Sequence, residues 1–357
     1  MIMTKNKIHK CKGCGEILSH NLKSISYSPN FELGYCQRCW KLKTYGNNSY
    51  STESAKIANR KAANLKISEK DIIFLITDIL NINIELIKRY KNHPTIYFVF
   101  NKCDLIINKF NYQKLFNNLT TLLKELNVKN PKVILTSTKL NYGINQINYL
   151  ISHSLLRQKK YFIGDTNAGK SSLINSLMKQ NKLNYKTQLI VSNNLNTTIN
   201  YNVVKINKHS IIDCPGSNLS TSILNHIANT ENVNKLYNIK KAKSFYFLVK
   251  HNQSFIFDKL GYITIYPNEK CDVTFYLSLG INVTKSTLEK VNLNMKKLNS
   301  IIKTNNNDFV DYVIELNNEP TTIQISGIGQ FFIRNATKVV IHSFKNIKIG
   351  QFKTRIW

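Results

Sequence analysis

The sequence has no long hydrophobic run. Its apolar runs, such as Ile72 to Ile76 and Ile96 to Phe100, have the length of a β-strand and are too short for a membrane-spanning helix. The basic N-terminus also lacks the apolar segment of a signal peptide, and Cys11 already begins a motif there. We therefore expect no removable targeting segment, no membrane partner and a cytoplasmic location.

Acidic side chains are scarce as well. Only 20 Asp and Glu residues stand against 50 Lys and Arg residues, which gives a formal net charge of +30. An excess of this size favours a polyanionic partner, because a protein that neutralises phosphates releases their counterions. RNA is the first candidate. The alternative is a lysine- and asparagine-rich proteome in which many proteins are basic, and composition alone leaves both open.

Four of the seven cysteines form two C-x-x-C pairs, Cys11 with Cys14 and Cys36 with Cys39. Two such pairs about twenty residues apart have the spacing of a tetrahedral four-thiolate zinc site. Disulfides need an oxidising compartment, which the missing signal peptide disfavours, and a redox motif is weaker still. We predict zinc. The remaining three cysteines are interpreted as small apolar core residues: Cys103, Cys214 and Cys271.

Short continuous apolar runs then alternate with helical patterns, which predicts an α/β fold with a parallel sheet. The predicted strands are 71–78, 95–100, 133–135, 160–163, 201–206 and 210–213. Predicted helices cover 54–65 and 112–128.

A glycine loop lies between one of these strands and a helix. It reads Gly164-Asp165-Thr166-Asn167-Ala168-Gly169-Lys170-Ser171, followed by Ser172. A G-x-x-x-x-G-K-[ST] loop in this setting turns backbone N–H groups toward a phosphate at a helix N-terminus. Lys170 is expected to reach the β/γ-phosphates and Ser171 to hold Mg²⁺. The alternative is a glycine-containing turn that matches by chance.

Two predicted strands end in further motifs, Asn101-Lys102-Cys103-Asp104 and Ser137-Thr138-Lys139. The N-K-C-D motif resembles the N-K-x-D element of GTPases, in which the Asp carboxylate accepts two hydrogen bonds from guanine. Adenine cannot form that pair, so the carboxylate discriminates between the bases. The S-T-K motif is similar to the S-A-K loop that contacts guanine O6. An ATP-dependent protein with an accidental N-K-C-D is the alternative.

The last strand of this region leads into Asp213-Cys214-Pro215-Gly216, which is similar to the D-x-P-G element of switch II. There the Asp holds Mg²⁺ through water and the Gly N–H senses the γ-phosphate. In the segment where switch I is expected, Thr198 is our choice for a threonine that binds Mg²⁺, and Thr197 is the alternative. A threonine pair that merely opens a strand is a further interpretation.

From Ser244 onward apolar and polar residues alternate, which predicts antiparallel β-structure. The predicted strands are 245–249, 254–257, 262–266, 273–277, 323–325, 330–333, 338–341 and 345–356. A capping box at Ser286 predicts one helix, to Leu298. Basic residues interleave with Phe344 and Phe352, which suggests an RNA-binding face or a solvated polar face; they are Lys345, Lys348, Lys353 and Arg355.

The order of these motifs is unusual. N-K-C-D and S-T-K precede the glycine loop here, whereas in an ordinary GTPase the glycine loop comes first and these two motifs come last. We interpret this as a circular permutation, in which switch II leads directly toward the C-terminal region. With two C-x-x-C pairs in front, the chain resembles the YqeH family of circularly permuted GTPases. The resemblance implies a zinc knuckle at 1–47, a permuted P-loop G domain at 48–230 and a β-rich RNA-binding domain at 231–357.

The resemblance also implies GTP hydrolysis stimulated by ribosomal RNA, in assembly of the small ribosomal subunit. Relatives that depend on a cation have an Asn at the position of Asn167, where it helps to place K⁺; the alternative is an Asn that stabilises the loop itself. Ser217 stands after D-x-P-G and no Gln is there to orient water, so intrinsic turnover should be slow. The alternative function is a GTP-gated RNA-binding sensor with incidental turnover.

Overall fold

The computed structural model describes residues 9, 11, 17–21, 24, 26–37, 67–106, 111–165, 167–183, 202–216, 222–226, 242–277, 281–298 and 308–356. Several predictions fall outside these ranges, namely the helix at 54–65 and residues Cys14, Cys39, Thr166, Thr197 and Thr198. None of the helices within the described ranges is long and apolar enough to cross a bilayer.

Six strands form the first sheet: β1 Ile72–Asp78, β2 Ile96–Asn101, β3 Val133–Leu135, β4 Lys160–Gly164, β5 Asn202–Ile206 and β6 His209–Asp213. Their spatial order is β3-β2-β1-β4-β6-β5. Every pair is parallel except β5 with β6, which is antiparallel. The α/β prediction is therefore confirmed.

Within the described part of the chain, four helices accompany this sheet: α1 Ile84–Tyr90, α2 Tyr112–Glu125, α3 Ile144–Ser152 and α4 Lys170–Gln180. The core on one face contains Phe74, Phe162 and Leu177, together with residues of α3 and α4. The core on the opposite face contains Leu75 and Leu122, with residues of α1 and α2. Because both faces of the strands are buried, the strands consist of continuous apolar runs and not of alternating residues.

The second sheet has eight strands: β7 Lys243–Val249, β8 Gln253–Phe257, β9 Tyr262–Leu277, β10 Val283–Ser286, β11 Phe309–Glu315, β12 Thr321–Ile325, β13 Gly329–Phe344 and β14 Ile349–Phe352. All of its pairings are antiparallel, and β9 and β13 form its centre. The prediction of antiparallel β-structure in this region is confirmed.

Three details of the C-terminal prediction are wrong. The helix α5 is Val291–Lys297, not 286–298, because Ser286 still pairs with β8 and its Oγ accepts a bond from Asn294 Nδ2 (2.9 Å) instead of capping a helix. The single strand β9 covers the predicted strands 262–266 and 273–277, and the single strand β13 covers the predicted strands 330–333 and 338–341. Of the predicted strand 345–356 only Ile349–Phe352 is a strand, since residues 345 and 346 form a turn and the chain bends at residue 353.

The two sheets share a core. Tyr276, Phe332 and Phe352 of the second sheet lie in the same buried cluster as residues of α1 and α2. The Glu125 carboxylate at the end of α2 accepts hydrogen bonds from the backbone N–H groups of Lys353 and Thr354, at 2.6 and 3.1 Å. The second sheet therefore covers the α1 and α2 side of the first sheet. The domain boundaries near residues 47 and 230 remain predictions, because they lie outside the described ranges.

Candidate functional site

The chemically active motifs lie at one edge of the first sheet. Parallel strands present their carboxyl ends at the same edge, and this edge is the usual place for ligands in such sheets. Here it brings together Asp78 at the end of β1, Asn101 at the end of β2, Ser137 after β3, Gly164 at the end of β4 and Asp213 at the end of β6.

The glycine loop is packed so closely that two of its positions need glycine. A Cβ atom at Gly164 would lie 2.1 Å from the carbonyl oxygen of Ile76. At Gly169, which has φ +94°, a Cβ atom would lie 2.2 Å from Nδ2 of Asn101. The loop then turns into α4, as the strand, loop and helix pattern predicts. Asn167 is exposed and has φ 66°.

The Lys170 ammonium is buried within the curve of the loop. It donates hydrogen bonds to the carbonyl oxygens of Gly164 (2.9 Å) and Asp165 (2.8 Å). Burial lowers the pKa of Lys170, while the carboxylates of Asp213 and Asp165 oppose that shift. The loop thus holds a desolvated cation, which a bound anion would stabilise.

Asp213 and Ser171 meet across the loop. The Ser171 hydroxyl donates to Oδ2 of Asp213 at 3.0 Å. The other oxygen, Oδ1, is buried and has no hydrogen-bond partner among the described residues. Burial raises the pKa of Asp213, and Lys170 and Ser171 lower it. A carboxylate oxygen and a hydroxyl are the hard ligands that Mg²⁺ prefers, so these residues fit a Mg²⁺ ion.

Asn101 joins the N-K-C-D motif to the glycine loop. Its buried side chain donates from Nδ2 to the carbonyl oxygen of Ala168 (2.9 Å), and its Oδ1 accepts from the Thr136 hydroxyl (3.0 Å). The Asn of N-K-x-D is therefore held in place by hydrogen bonds at both ends of its amide.

The other members of this motif lie beside the S-T-K loop. The Ser137 hydroxyl donates to Oδ1 of Asp104 at 2.7 Å and accepts from the N–H of Leu140 at 3.1 Å. Lys102, with φ 63°, forms an ion pair with Asp78 at 2.7 Å. The structure thus brings Asp104 and Ser137 together, as the two motifs predict. Four further predicted site residues are half-buried or exposed: Thr138, Lys139, Ser172 and Gly216.

The isolated cysteines are buried in the cores, as we predicted: Cys103, Cys214 and Cys271. Burial raises the pKa of each thiol to about 12. They therefore stay protonated and belong to the packing, not to the chemistry.

Only part of the predicted zinc site can be described. Cys11 and Cys36 are buried, and the Cys36 N–H donates to the Cys11 sulfur at 3.2 Å. Within the described ranges no three His, Cys, Asp or Glu side chains gather at a metal position, and Cys14 and Cys39 lie outside those ranges.

The aromatic part of the face predicted near the C-terminus is wrong. Phe344 is buried in the core of the second sheet, and Phe352 is buried in the core that the second sheet shares with α1 and α2. Arg355 lies 4.9 Å above the ring of Phe332 and donates to the Tyr276 hydroxyl. Lys348 and Lys353 form ion pairs with Glu85 and Glu319. Lys345 is exposed and forms no ion pair among the described residues.

The motifs gave no indication of two other residues at the site. Asp78 holds Lys102, and its position at the carboxyl end of a predicted strand was the available signal. Asn83 lies between β1 and α1, and its Nδ2 approaches both carboxylate oxygens of Asp165, at 2.7 and 2.8 Å. Its signal was weaker still, namely an Asn at the start of a short helix.

Comparison with known proteins supports a GTPase domain. Residues 159–277 match a family model described as a 50S ribosome-binding GTPase. The uncharacterized protein YqeH of Bacillus subtilis is 24% identical over 92% of this chain and 94% of its own length. GTPase Der of Karelsulcia muelleri is 27% identical over 73% of this chain, which spans 53% of that relative.

Among solved structures, YjeQ from Thermotoga maritima matches 43% of this chain and 52% of its own with 15% identity and a TM-score of 0.28. That score is too low to carry an argument. The matches to the GTPase family and to YqeH agree with the motifs assembled at the sheet edge. The resemblance of this chain to the YqeH family of GTPases is therefore confirmed, over nearly its whole length.

Proposed function

We propose that this protein binds and slowly hydrolyses GTP and acts as an assembly factor for the small ribosomal subunit in the cytoplasm. The observation that carries the nucleotide assignment is the joining of two motifs. Asn101 of N-K-C-D bonds directly to the glycine loop, so a base at Asp104 and phosphates at Lys170 would belong to one ligand. The full-length similarity to YqeH supports the wider role.

The residues divide between the two ends of that ligand. Asp104 would accept hydrogen bonds from guanine, with Asn101, Lys102 and the loop 137–139 around the base. The loop 164–172 would surround the phosphates, with Lys170 donating to their oxygens and the Gly216 N–H facing the γ-phosphate. The catalytic set is then Lys170, Asn167, Asp213, Gly216 and, outside the described residues, Thr198.

Mg²⁺ would be held by Ser171 and Asp213, with Thr198 as the third protein ligand. The buried Oδ1 of Asp213, which has no hydrogen-bond partner among the described residues, supports this assignment. A Mg²⁺ ion held by these residues would supply positive charge to offset the negative charge that develops on the phosphates. The exposed side chain of Asn167 leaves it available to a K⁺ ion.

We propose further that the G domain is circularly permuted. The strand before the glycine loop, β4, lies at the centre of the sheet, although three strands of that sheet precede it in the chain. Such an arrangement follows if the ends of an ordinary G domain are moved to a surface loop and the packing is kept. The three-part division at residues 47 and 230 belongs to the same proposal.

Zinc at the four N-terminal cysteines and binding of ribosomal RNA complete the proposal. The bond from the Cys36 N–H to the Cys11 sulfur supports zinc, since a thiolate in a zinc knuckle accepts such bonds. The net charge of +30 supports RNA, while the aromatic face that we predicted does not.

The test is turnover of GTP against ATP, alone and with small or large ribosomal subunits, at matched Na⁺ and K⁺. We expect GTP preference and faster hydrolysis with small subunits. Stimulation by large subunits alone would instead favour the 50S subunit as the partner, which is the partner that the description of the matched family names. Tight GTP binding without stimulation by either subunit would leave the GTP-gated sensor, and ATP preference would overturn the base assignment.

A further inference from the structure

The loop between β1 and α1, residues 79–83, is held by the second sheet. The buried Gln324 of β12 accepts from the Ile82 N–H (3.0 Å) and donates to the Ile82 carbonyl (2.8 Å). Gln330 of β13, also buried, donates to Oε1 of Gln324 at 3.1 Å. Both backbone groups of one loop residue are therefore bonded to a single side chain of the second sheet.

The same loop touches both ends of the candidate nucleotide site. Asp78, just before it, pairs with Lys102 of the N-K-C-D motif at 2.7 Å. Asn83, at its end, donates to both carboxylate oxygens of Asp165 in the glycine loop. A shift of this loop would therefore change the positions of Lys102 at the base end and of Asp165 at the phosphate end.

Lys348, which lies in the connection just before β14, bonds to Asn83 from the side of the second sheet. Its ammonium donates to Oδ1 of Asn83 at 3.0 Å and pairs with Glu85 at 2.9 Å. Oδ1 of Asn83 also accepts the N–H of Leu86, which caps α1. The orientation of the Asn83 amide is thus determined by its partners, because an ammonium and an N–H only donate and a carboxylate only accepts.

These contacts form one chain of hydrogen bonds from the second sheet to the glycine loop. A cation on Oδ1 polarises the amide and strengthens the bonds that Nδ2 donates to the Asp165 carboxylate. We propose that Lys348 is a positioning residue, which acts through Asn83 to hold Asp165 and thereby keeps the glycine loop in its phosphate-binding conformation. The inference rests on the proposed GTP-binding function and adds control of nucleotide affinity by the second sheet.

The coupling works in both directions. If docking of the second sheet strengthens nucleotide binding, then nucleotide binding strengthens the docking by the same factor. A partner that pulls Lys348 away from Asn83 would then favour nucleotide release.

The test is the Kd of a fluorescent GDP analogue for the full chain and for Lys348→Met, with millimolar Mg²⁺. We expect binding about five- to tenfold weaker in the variant, within the usual range of such coupling. Lys348→Arg should retain most of the affinity because it keeps the charge. Arg334→Met is the matched control, since Arg334 is exposed and forms its ion pair with Asp272 within the second sheet.

A double-mutant cycle tests whether Lys348 acts through Asp165. Asp165→Ala should weaken binding by itself, and adding Lys348→Met to it should cost little more. If Lys348→Met does not fold, Asn83→Ser answers the question, because serine can still cap α1 but is too short to reach Lys348 and Asp165. Its affinity should then fall as well.

The outcomes separate the two claims. Unchanged affinity in Lys348→Met or in Asn83→Ser, with a wild-type chain that binds GDP, overturns this inference alone. Fully additive effects of Lys348→Met and Asp165→Ala would overturn the route through Asn83. A wild-type chain that binds no guanine nucleotide overturns the proposed function, and this inference with it.

Discussion

The closest packing at the candidate site involves the backbone at Gly164. A methyl group there would lie 2.1 Å from the carbonyl oxygen of Ile76, inside the pairing of β1 with β4, so backbone must move to admit it. We expect Gly164→Ala to lower the free energy of unfolding by about 1–3 kcal/mol, the usual cost of overpacking. Urea unfolding measures it.

The matched control for that change is Gly350→Ala. A Cβ atom at Gly350 would first meet the end of the Ile84 side chain, at 3.0 Å, and side chains can give way where backbone cannot. Equal destabilisation by both substitutions would contradict the close packing at the glycine loop.

Asp104 determines the choice of base in the proposed function. Its Oδ1 accepts from Ser137, which orients the carboxylate. Asp104→Asn should weaken GTP binding by a factor of about ten or more, as expected when a polar group at the site is left mismatched, and should favour xanthosine triphosphate. Competition among GTP, ATP and xanthosine triphosphate measures the preference.

Asp71→Asn serves as the control for Asp104→Asn. Asp71 precedes the amino end of β1, away from the carboxyl ends of the strands where the candidate site lies, and it accepts a hydrogen bond from the Lys159 N–H. An unchanged preference for GTP in Asp104→Asn would mean that the match to N-K-x-D is accidental.

His209 should make stability depend on pH. Burial, and then the ammonium of Lys160 at 3.1 Å, lower the pKa of this imidazole. The unfolded chain, with a pKa of about 6.5, binds the proton more tightly, so the stabilisation is present above that pH and is lost as pH falls through the lowered pKa. His209→Gln should flatten the loss of the urea midpoint between about pH 7.5 and 5.5, the range around that pKa.

The exposed His153 supplies the comparison for this pH profile, and His153→Gln should leave it unchanged. A profile of His209→Gln that still falls as steeply as that of the wild type would mean that other groups dominate.

At the scale of elements, the two hydrogen bonds between Gln324 of β12 and Ile82 should contribute strongly to the free energy of docking between the sheets. Gln324→Leu leaves the N–H and carbonyl of Ile82 buried without their partner. Each unsatisfied buried group costs about 1–3 kcal/mol, so we expect a loss of roughly 2–6 kcal/mol in the free energy of unfolding.

Gln351→Leu, on an exposed side chain of β14, is the control for this loss. A similar change in both variants would show that the interface is not held by Gln324.

Strands with a clear apolar pattern could be predicted from the sequence, and a few other elements could not. Strands β1 and β2 are continuous apolar runs, a pattern that a surface loop does not show. The helix α1 has only seven residues, and β11 exposes the apolar Val313 on its outward side, so the periodic signal of each is weak in the sequence. Ser286 matched a capping box, yet its pairing with β8 prevailed over the local preference for a helix start.

At the scale of the whole molecule, the docking of the two sheets could not be predicted. Gln324 and Ile82 are 242 residues apart in the chain, and no local pattern connects them. The same docking explains why the aromatic part of the predicted face was wrong, because burial at the interface takes Phe352 out of reach of any ligand. The motifs at the edge of the first sheet were predictable because each follows its strand directly.

The overall charge leads to a prediction about RNA. If the +30 net charge serves RNA binding, the affinity for ribosomal RNA should fall linearly on a log–log plot as salt is raised, by a slope of about −0.7 for each neutralised phosphate of a single strand. Filter binding between roughly 50 and 300 mM KCl, where such losses are large, measures the slope.

Polyglutamate of matched charge is the control competitor for this measurement. Displacement of the RNA by polyglutamate at equal charge concentration would mean that the interaction depends on charge alone. Absence of binding at the lowest salt concentration would favour a basic proteome as the source of the charge.

The long sequence separation between Gln324 and Ile82, which are hydrogen-bonded to each other, also has a consequence for synthesis of the chain. The first sheet and its candidate nucleotide site are complete in the chain before β12 and β13 have been translated, so the loop 79–83 spends that interval without its glutamine partners. Contacts between such distant residues form late in folding. A nascent chain would therefore pass through a stage with a finished phosphate loop and an unsecured β1–α1 loop, and a ribosome-stalled chain that stops before β12 would isolate it.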